Sequence, residues 1–238
     1  MKQLVLPVGL DTRPSFENFV AGGNQALLAC LERLGTRDGE PQVLIYGDAP
    51  RGKSHLLQAA RNRATERGQL ACYVALAGQA AQRPDALTGL EEFALICVDD
   101  LDAVITQRRW AEALFHLINA QRARGHALLL ASRAHPQAMA ISLPDLVSRL
   151  MWGPLFQVQR LDDVALAALV VQRAAARGFE VPPEVVNYLL TRCARDVGRL
   201  LEIVNKLDLE TLAQQRKVTL PLLREVLGST TPGASQSS

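Results

Sequence analysis

The chain has 238 residues, 48% of them hydrophobic, and a formal net charge of +2. That length and apolar share supply a sizeable core, enough for one large domain or for one domain with a small partner. Its 26 basic and 24 acidic residues are interspersed, which argues against strong direct DNA binding through a concentrated basic surface, although a local basic patch is compatible with the average. Cys30, Cys72, Cys97 and Cys193 fall in apolar stretches without metal-ligand spacing, and read as small buried hydrophobes of a reducing compartment. The N-terminal apolar run is too short for a signal peptide and no stretch can span a membrane, so a cytoplasmic protein is expected.

Residues 1–12 form a short head outside any periodic pattern. From Phe16 to Phe156, short apolar runs alternate with helical patterns. A helix is expected at 24–34, then a strand VLIY at 43–46. A helix at 53–67 follows, closed by Gly68. Strands LACYVAL at 70–76 and FALICV at 93–98 come next, then a helix at 109–124 closed by Gly125. ALLLAS at 127–132 is a fourth strand and LFQV at 155–158 a fifth. Glycine after a helix suits the left-handed cap position. Strands apolar on both faces, alternating with helices, predict a parallel sheet covered by helices on both sides.

Beyond Asp162 the pattern is helical throughout. Asp162 suits the cap of a helix that Gly178 ends after Arg177. Pro182 and Pro183 suit the first turn of the next. Val197, Leu200, Leu201, Val204 and Leu207 share one helical face, and a last short helix is expected at 221–227. The fold class is therefore α/β, a nucleotide-binding domain at 13–159 with a small all-helical domain at 160–228. The Ser-, Thr-, Gly- and Pro-containing tail, 229–238, lacks apolar residues to bury and is expected to be disordered.

The strongest motif is Gly47-Asp48-Ala49-Pro50-Arg51-Gly52-Lys53-Ser54, which fits G-x-x-x-x-G-K-[ST] at every fixed position. It follows a strand and opens a helix, as a phosphate loop requires. Gly47 and Gly52 allow the tight turn that aims backbone N–H groups inward, and the helix N-terminus adds partial positive charge. Lys53 can reach the outer phosphates of a nucleotide, and the Ser54 hydroxyl can bind Mg²⁺. Asp99 and Asp100 end the third apolar run. Asp99 is the second candidate Mg²⁺ residue, and Asp100 the candidate to position an attacking water; the alternative is that both acids cap the next segment. His55 can be a ligand or a plain polar residue in the first helical turn. His116, His126 and His135 are scattered and form no catalytic pair.

Three stretches narrow the motif: SFENFVAGGNQALLACLERL, VLIYGDAPRGKSHLLQAA and LICVDDLD. Together they resemble the AAA+ domain of the bacterial initiator DnaA and its relatives, over about Ser15 to Leu227. The resemblance implies that Phe16, Asn18, Phe19, Val20 and Gly22 pack around adenine, and that the ligand is ADP or ATP. LPDLVSRLMWG resembles the family's box around its arginine finger, which maps to Arg149 and acts in trans. ARDVGRLLEIVNKLD resembles the second sensor region, with Arg199 on the sensor arginine. One departure concerns the sensor after the fourth strand: Arg133 stands where a polar or acidic residue is usual, unless the register shifts and Ser132 serves. That weakens the case for efficient hydrolysis by this chain.

The helix-turn-helix domain of DnaA has no counterpart after the helical region, and only the head precedes the AAA+ pattern. Gln3, Leu4, Leu6, Pro7 and Val8 resemble the short peptide that docks on the DNA polymerase sliding clamp (its beta subunit), with apolar side chains for a groove and Gln3 for polar contacts. The alternative is an ordinary strand or a loose end. This combination is similar to the clamp-docking regulatory branch of the family. It implies an ADP-bound protein that stimulates hydrolysis of ATP on DnaA, with a homodimer or head-to-tail assembly as the expected oligomers. Two rivals stay open: a DnaC-like ATP-driven helicase loader, and a non-catalytic clamp-binding adaptor.

Overall fold

The computed structural model describes residues 13–48, 50–78, 83–193, 196–214 and 217–228. The head with Gln3, Leu4, Leu6, Pro7 and Val8, the loop residue Ala49, and the tail 229–238 lie outside the described residues. The described chain divides into two compact units, 13–160 and 161–228.

The first unit is a five-stranded parallel sheet with helices on both faces. In chain order it contains α1 (Gln25–Glu32), β1 (Gln42–Tyr46), α2 (Lys53–Glu66), β2 (Ala71–Ala75), β3 (Leu95–Asp99), α3 (Arg108–Arg124), β4 (Ala127–Ser132), α4 (Pro144–Leu150) and β5 (Leu155–Gln157). The strand order is β2-β3-β4-β1-β5, and every pairing is parallel. Alternate residues of each strand point to opposite faces, and the core divides accordingly. Val43, Ile45, Leu95, Cys97 and Leu129 pack with Leu27 and Leu31 of α1 and Leu56 and Leu57 of α2. Leu44, Ile96, Val98, Leu128 and Leu130 pack with Trp110 and Leu114 of α3 and Leu146 and Leu150 of α4. Burying each such side chain contributes roughly 1.5–3 kcal/mol.

The second unit is all helical: α5 (Asp163–Ala175), α6 (Pro183–Arg192), α7 (Val197–Gln214) and α8 (Leu220–Gly228). The Asp162 carboxylate accepts from the N–H of Ala165 at 2.8 Å and caps α5. Gly178 has φ 82° after that helix. Leu200, Val204 and Leu207 of α7 are fully buried against Val170, Val185 and Leu189.

Several boundaries differ from the sequence expectation. α1 stops at Glu32 because a turn follows, with Leu34 N–H donating to Leu31 O and Gly35 at φ 72°. Residues 90–92 form a 3-10 turn, so the third strand starts at Leu95 and carries Asp99 as its last residue. Helix α4 has an alternating, short apolar pattern too brief for periodicity to reveal. The four cysteines are free, but Cys30 and Cys72 are only half-buried.

Gly153 follows α4 where the chain crosses the start of β1. A Cβ there would lie 1.8 Å from the Gln42 carbonyl oxygen. Just beyond it, Leu44 N–H donates to Pro154 O at 3.1 Å and begins the β1–β5 pairing. Gly153→Ala must push two backbones apart, and an equilibrium denaturation experiment should show a loss of roughly 1–3 kcal/mol.

Candidate functional site

Three strand ends of a parallel sheet point the same way, and the crevice beyond them is where such sheets bind ligands. Here β1 runs into Gly47, β3 ends in Asp99 and β4 ends in Ser132. Gly47 N–H donates to Ser132 O at 3.2 Å, holding the start of the loop against β4. Gly52, the N-cap of α2, has φ 81°, a conformation that glycine adopts without a steric cost.

The loop is braced by its own charged residues. Arg51 Nη1 donates to Val158 O at 2.6 Å. Asp48 pairs with Arg51 and with Arg160 at 3.2 Å. Lys53 Nζ donates to Gly47 O at 2.5 Å. Burial pulls the Lys53 ammonium below its ordinary pKa, against the opposing pull of Asp99 and Asp102. Ser54 is exposed in the first turn of α2, and Pro50 is exposed in the loop.

Asp99 is 1% exposed. Its Oδ2 accepts from the Tyr73 hydroxyl and its Oδ1 from Asp100 N–H, both at 2.9 Å. A carboxylate has about four acceptor sites, so Asp99 keeps capacity for a further partner. Burial, then Asp99, pushes the Tyr73 phenol up to about 12. Asp100 has φ 57°, the one described non-glycine residue in the left-handed region. Burial and the adjacent Asp99 raise its carboxyl above the ordinary value, while Arg133 and Lys53 lower it. Asp102, a third acid that the sequence reading did not single out, accepts from Arg133 N–H. Ser132 is buried and donates its hydroxyl to Ala134 O at 2.7 Å. The group facing the acids after β4 is therefore Arg133.

Tyr73 was also missed. It pairs with Cys97 in register, two residues before Asp99 on the same sheet face. That diagonal placement needs the strand register, which an apolar run does not disclose. No group of three or more His, Cys, Asp or Glu among the described residues can hold a metal ion. Mg²⁺ commonly uses one or two carboxylates plus substrate phosphates rather than an all-protein cage, and Ser54 with Asp99 fits that donor chemistry.

The segment before α1 is tied to α2. His55 Nε2 lies 2.9 Å from Ser15 O, Asn62 Nδ2 donates to Pro14 O at 2.8 Å, and Arg63 pairs with Glu17. Asn18 knits the turn by accepting from Ser15 N–H at 3.0 Å. Phe19 reaches the loop: a Cβ on Gly52 would lie 2.8 Å from its Cε2, and its ring centroid is 5.7 Å from that of His55. Val20 is half-buried. Phe16 is 5% exposed within the core, so packing is its visible role. His55 likewise serves as a tether for this segment.

Two arginines lie apart from this cluster. Arg199 belongs to the helical unit, exposed on α7, where its N–H donates to the capping carboxylate of Asp196 at 3.1 Å. Arg149 lies at the end of α4. Its carbonyl accepts from Gln42 Nε2 at 2.8 Å, at the start of the five-residue strand β1 whose far end carries the loop. Those two ends are roughly 16 Å apart at the usual rise per residue.

The sequence matches the family model for the bacterial DnaA ATPase domain over residues 10–157 and that for the Hda lid domain over 157–227. An uncharacterised protein of Haemophilus influenzae is 37% identical over 227 residues, covering 95% of this chain and 98% of that one. The structure of the replication initiator DnaA bound to AMPPCP and single-stranded DNA superposes with a TM-score of 0.69 at 26% identity, covering 85% of this chain and 67% of that one. Domain III of DnaA from Thermotoga maritima gives a TM-score of 0.77 at 22% identity, covering 90% and 95% of the two chains, a likeness of fold.

Proposed function

This chain belongs to the DnaA family of AAA+ proteins as an Hda-like, DnaA-related replication regulator, and from that premise we propose that it holds ADP in its own loop and stimulates hydrolysis of ATP bound to DnaA. The observation that carries the reading is the position of Arg149. Its anchor at the edge of the sheet opposite the phosphate loop suits an arginine presented to a nucleotide on another protein. Such a group stabilises charge on a transferring phosphoryl group.

Lys53 and the helix N-terminus would bind the phosphates, and Ser54 and Asp99 would hold Mg²⁺, which neutralises phosphate charge. Asp99 is aimed by Tyr73. Asp100 would position water if this chain hydrolysed its own nucleotide, but Arg133 after β4 brings a cation to the acids instead. That favours a loop that retains its nucleotide. The DnaA relative bound to AMPPCP supports an adenine nucleotide as ligand. Arg199 would sense it from the lid.

The head residues Gln3, Leu4, Leu6, Pro7 and Val8 would dock on the sliding clamp. Deleting residues 1–8 should abolish retention on immobilised clamp while nucleotide affinity stays unchanged; undiminished retention rejects the docking role. The whole reading is tested by mixing the protein with DNA-loaded clamp and ATP–DnaA and following conversion of bound ATP to ADP. A loader working on single strands is the rival that the DNA-bound relative favours. It requires turnover by this chain, stimulated by single-stranded DNA.

A further inference from the structure

Arg149 has no carboxylate within ion-pair distance among the described residues. Its guanidinium carbon lies instead 4.0 Å from the centroid of the Trp152 ring and 5.3 Å from that of Phe115. The Nε atom is buried without a hydrogen-bond partner. On the same indole lies a second guanidinium, that of Arg122, also 4.0 Å from the centroid. Trp152 remains 36% exposed.

The backbone beneath this stack is rigid. Gln42 Nε2 donates to the carbonyls of Arg149 and Leu150 at 2.8 and 3.3 Å. The Arg149 carbonyl also accepts from Trp152 N–H at 3.3 Å, and Gly153 lies against the Gln42 backbone. Both members of the Arg149–Trp152 pair therefore hang from the first residue of β1. The arginine stem is the loose part, with about 2 kcal/mol of rotamer entropy. An aromatic face restrains a guanidinium through the ring quadrupole and leaves the in-plane N–H edge open. A carboxylate would occupy that edge, which is the edge that grips phosphate oxygens.

We propose that Trp152 is a positioning residue that orients the Arg149 guanidinium toward a phosphate carried by a second protein. The proposal rests on the reading of Arg149 as an arginine supplied to DnaA-bound ATP. It adds the residue that keeps this arginine aimed before contact.

The test compares Trp152→Leu, Trp152→Phe and Arg149→Ala in the conversion assay with loaded clamp and ATP–DnaA. The saturating rate is measured separately from the concentration giving half of it. Trp152→Leu should lower the saturating rate about ten-fold, as expected for loss of a desolvated cation–π contact. Its half-saturating concentration should stay within about two-fold of the unmodified protein. Trp152→Phe, which keeps an aromatic face, should recover most of the rate. A rise in the half-saturating concentration alone would make Trp152 a docking residue and overturn the positioning role. An unchanged rate in Trp152→Leu beside a lost rate in Arg149→Ala overturns it while leaving the arginine assignment intact. Stimulation that survives in Arg149→Ala overturns both. The geometry has its own readout in the isolated protein: the Arg149 Nε–H resonance, assigned by its absence in Arg149→Ala, should lose its ring-current shift in Trp152→Leu. A resonance that does not move rejects the stack.

Discussion

Replacing Arg149 with alanine is expected to cut the stimulated hydrolysis of DnaA-bound ATP by about 10³- to 10⁵-fold, the range seen when an arginine finger is removed. The effect should fall on the rate at saturation, because the guanidinium meets charge that develops only in the transition state. Nucleotide bound in this chain's own loop should be unaffected, since Arg149 hangs from Gln42 at the other end of β1. Stability should change little, because Arg149 makes no ion pair among the described residues and its ring contacts are partly solvent-exposed. Conversion assays, with nucleotide affinity measured in parallel, check both halves. A variant that loses nucleotide binding as well would show that the substitution disturbs the fold.

Lys53→Ala carries the second large effect. A charge-assisted hydrogen bond contributes roughly 1.5–3 kcal/mol, and Lys53 is the cation placed between the loop and the acids Asp99, Asp100 and Asp102. Nucleotide affinity should therefore fall by about 10- to 150-fold. The readout is a thermal shift. Saturating nucleotide at a hundred times its dissociation constant stabilises a protein by about 2.7 kcal/mol, and at that same concentration Lys53→Ala should retain only a small part of the shift. Without nucleotide the variant should melt close to the unmodified protein, because burial disfavours the Lys53 charge. An undiminished shift would remove Lys53 from the phosphate site. Clamp retention should survive the substitution.

Much of the architecture was legible because its signals are local. The glycines of the loop, the strand before it and the helix after it stand within a few residues of one another, and the period-two division of VLIY between two faces follows from backbone geometry. The cap at Asp162 and the stop at Gly178 were readable for the same reason. Helix α4 was not, since seven residues give too few turns for a periodic pattern.

The sequence by itself determined the α/β class, the DnaA-like AAA+ family, the helical unit and the phosphate-loop motif, since each rests on residue type at fixed spacing along the chain. Tertiary structure alone decided what meets across strands. It put Tyr73 on Asp99 through the β2–β3 register and Asp102 on the backbone of Arg133. It turned the Ser132 hydroxyl away to Ala134, and it laid Arg149 on Trp152 at the far end of β1. These contacts depend on strand order and register, which are set by how the two faces of the whole sheet are buried. No short window of sequence contains that information.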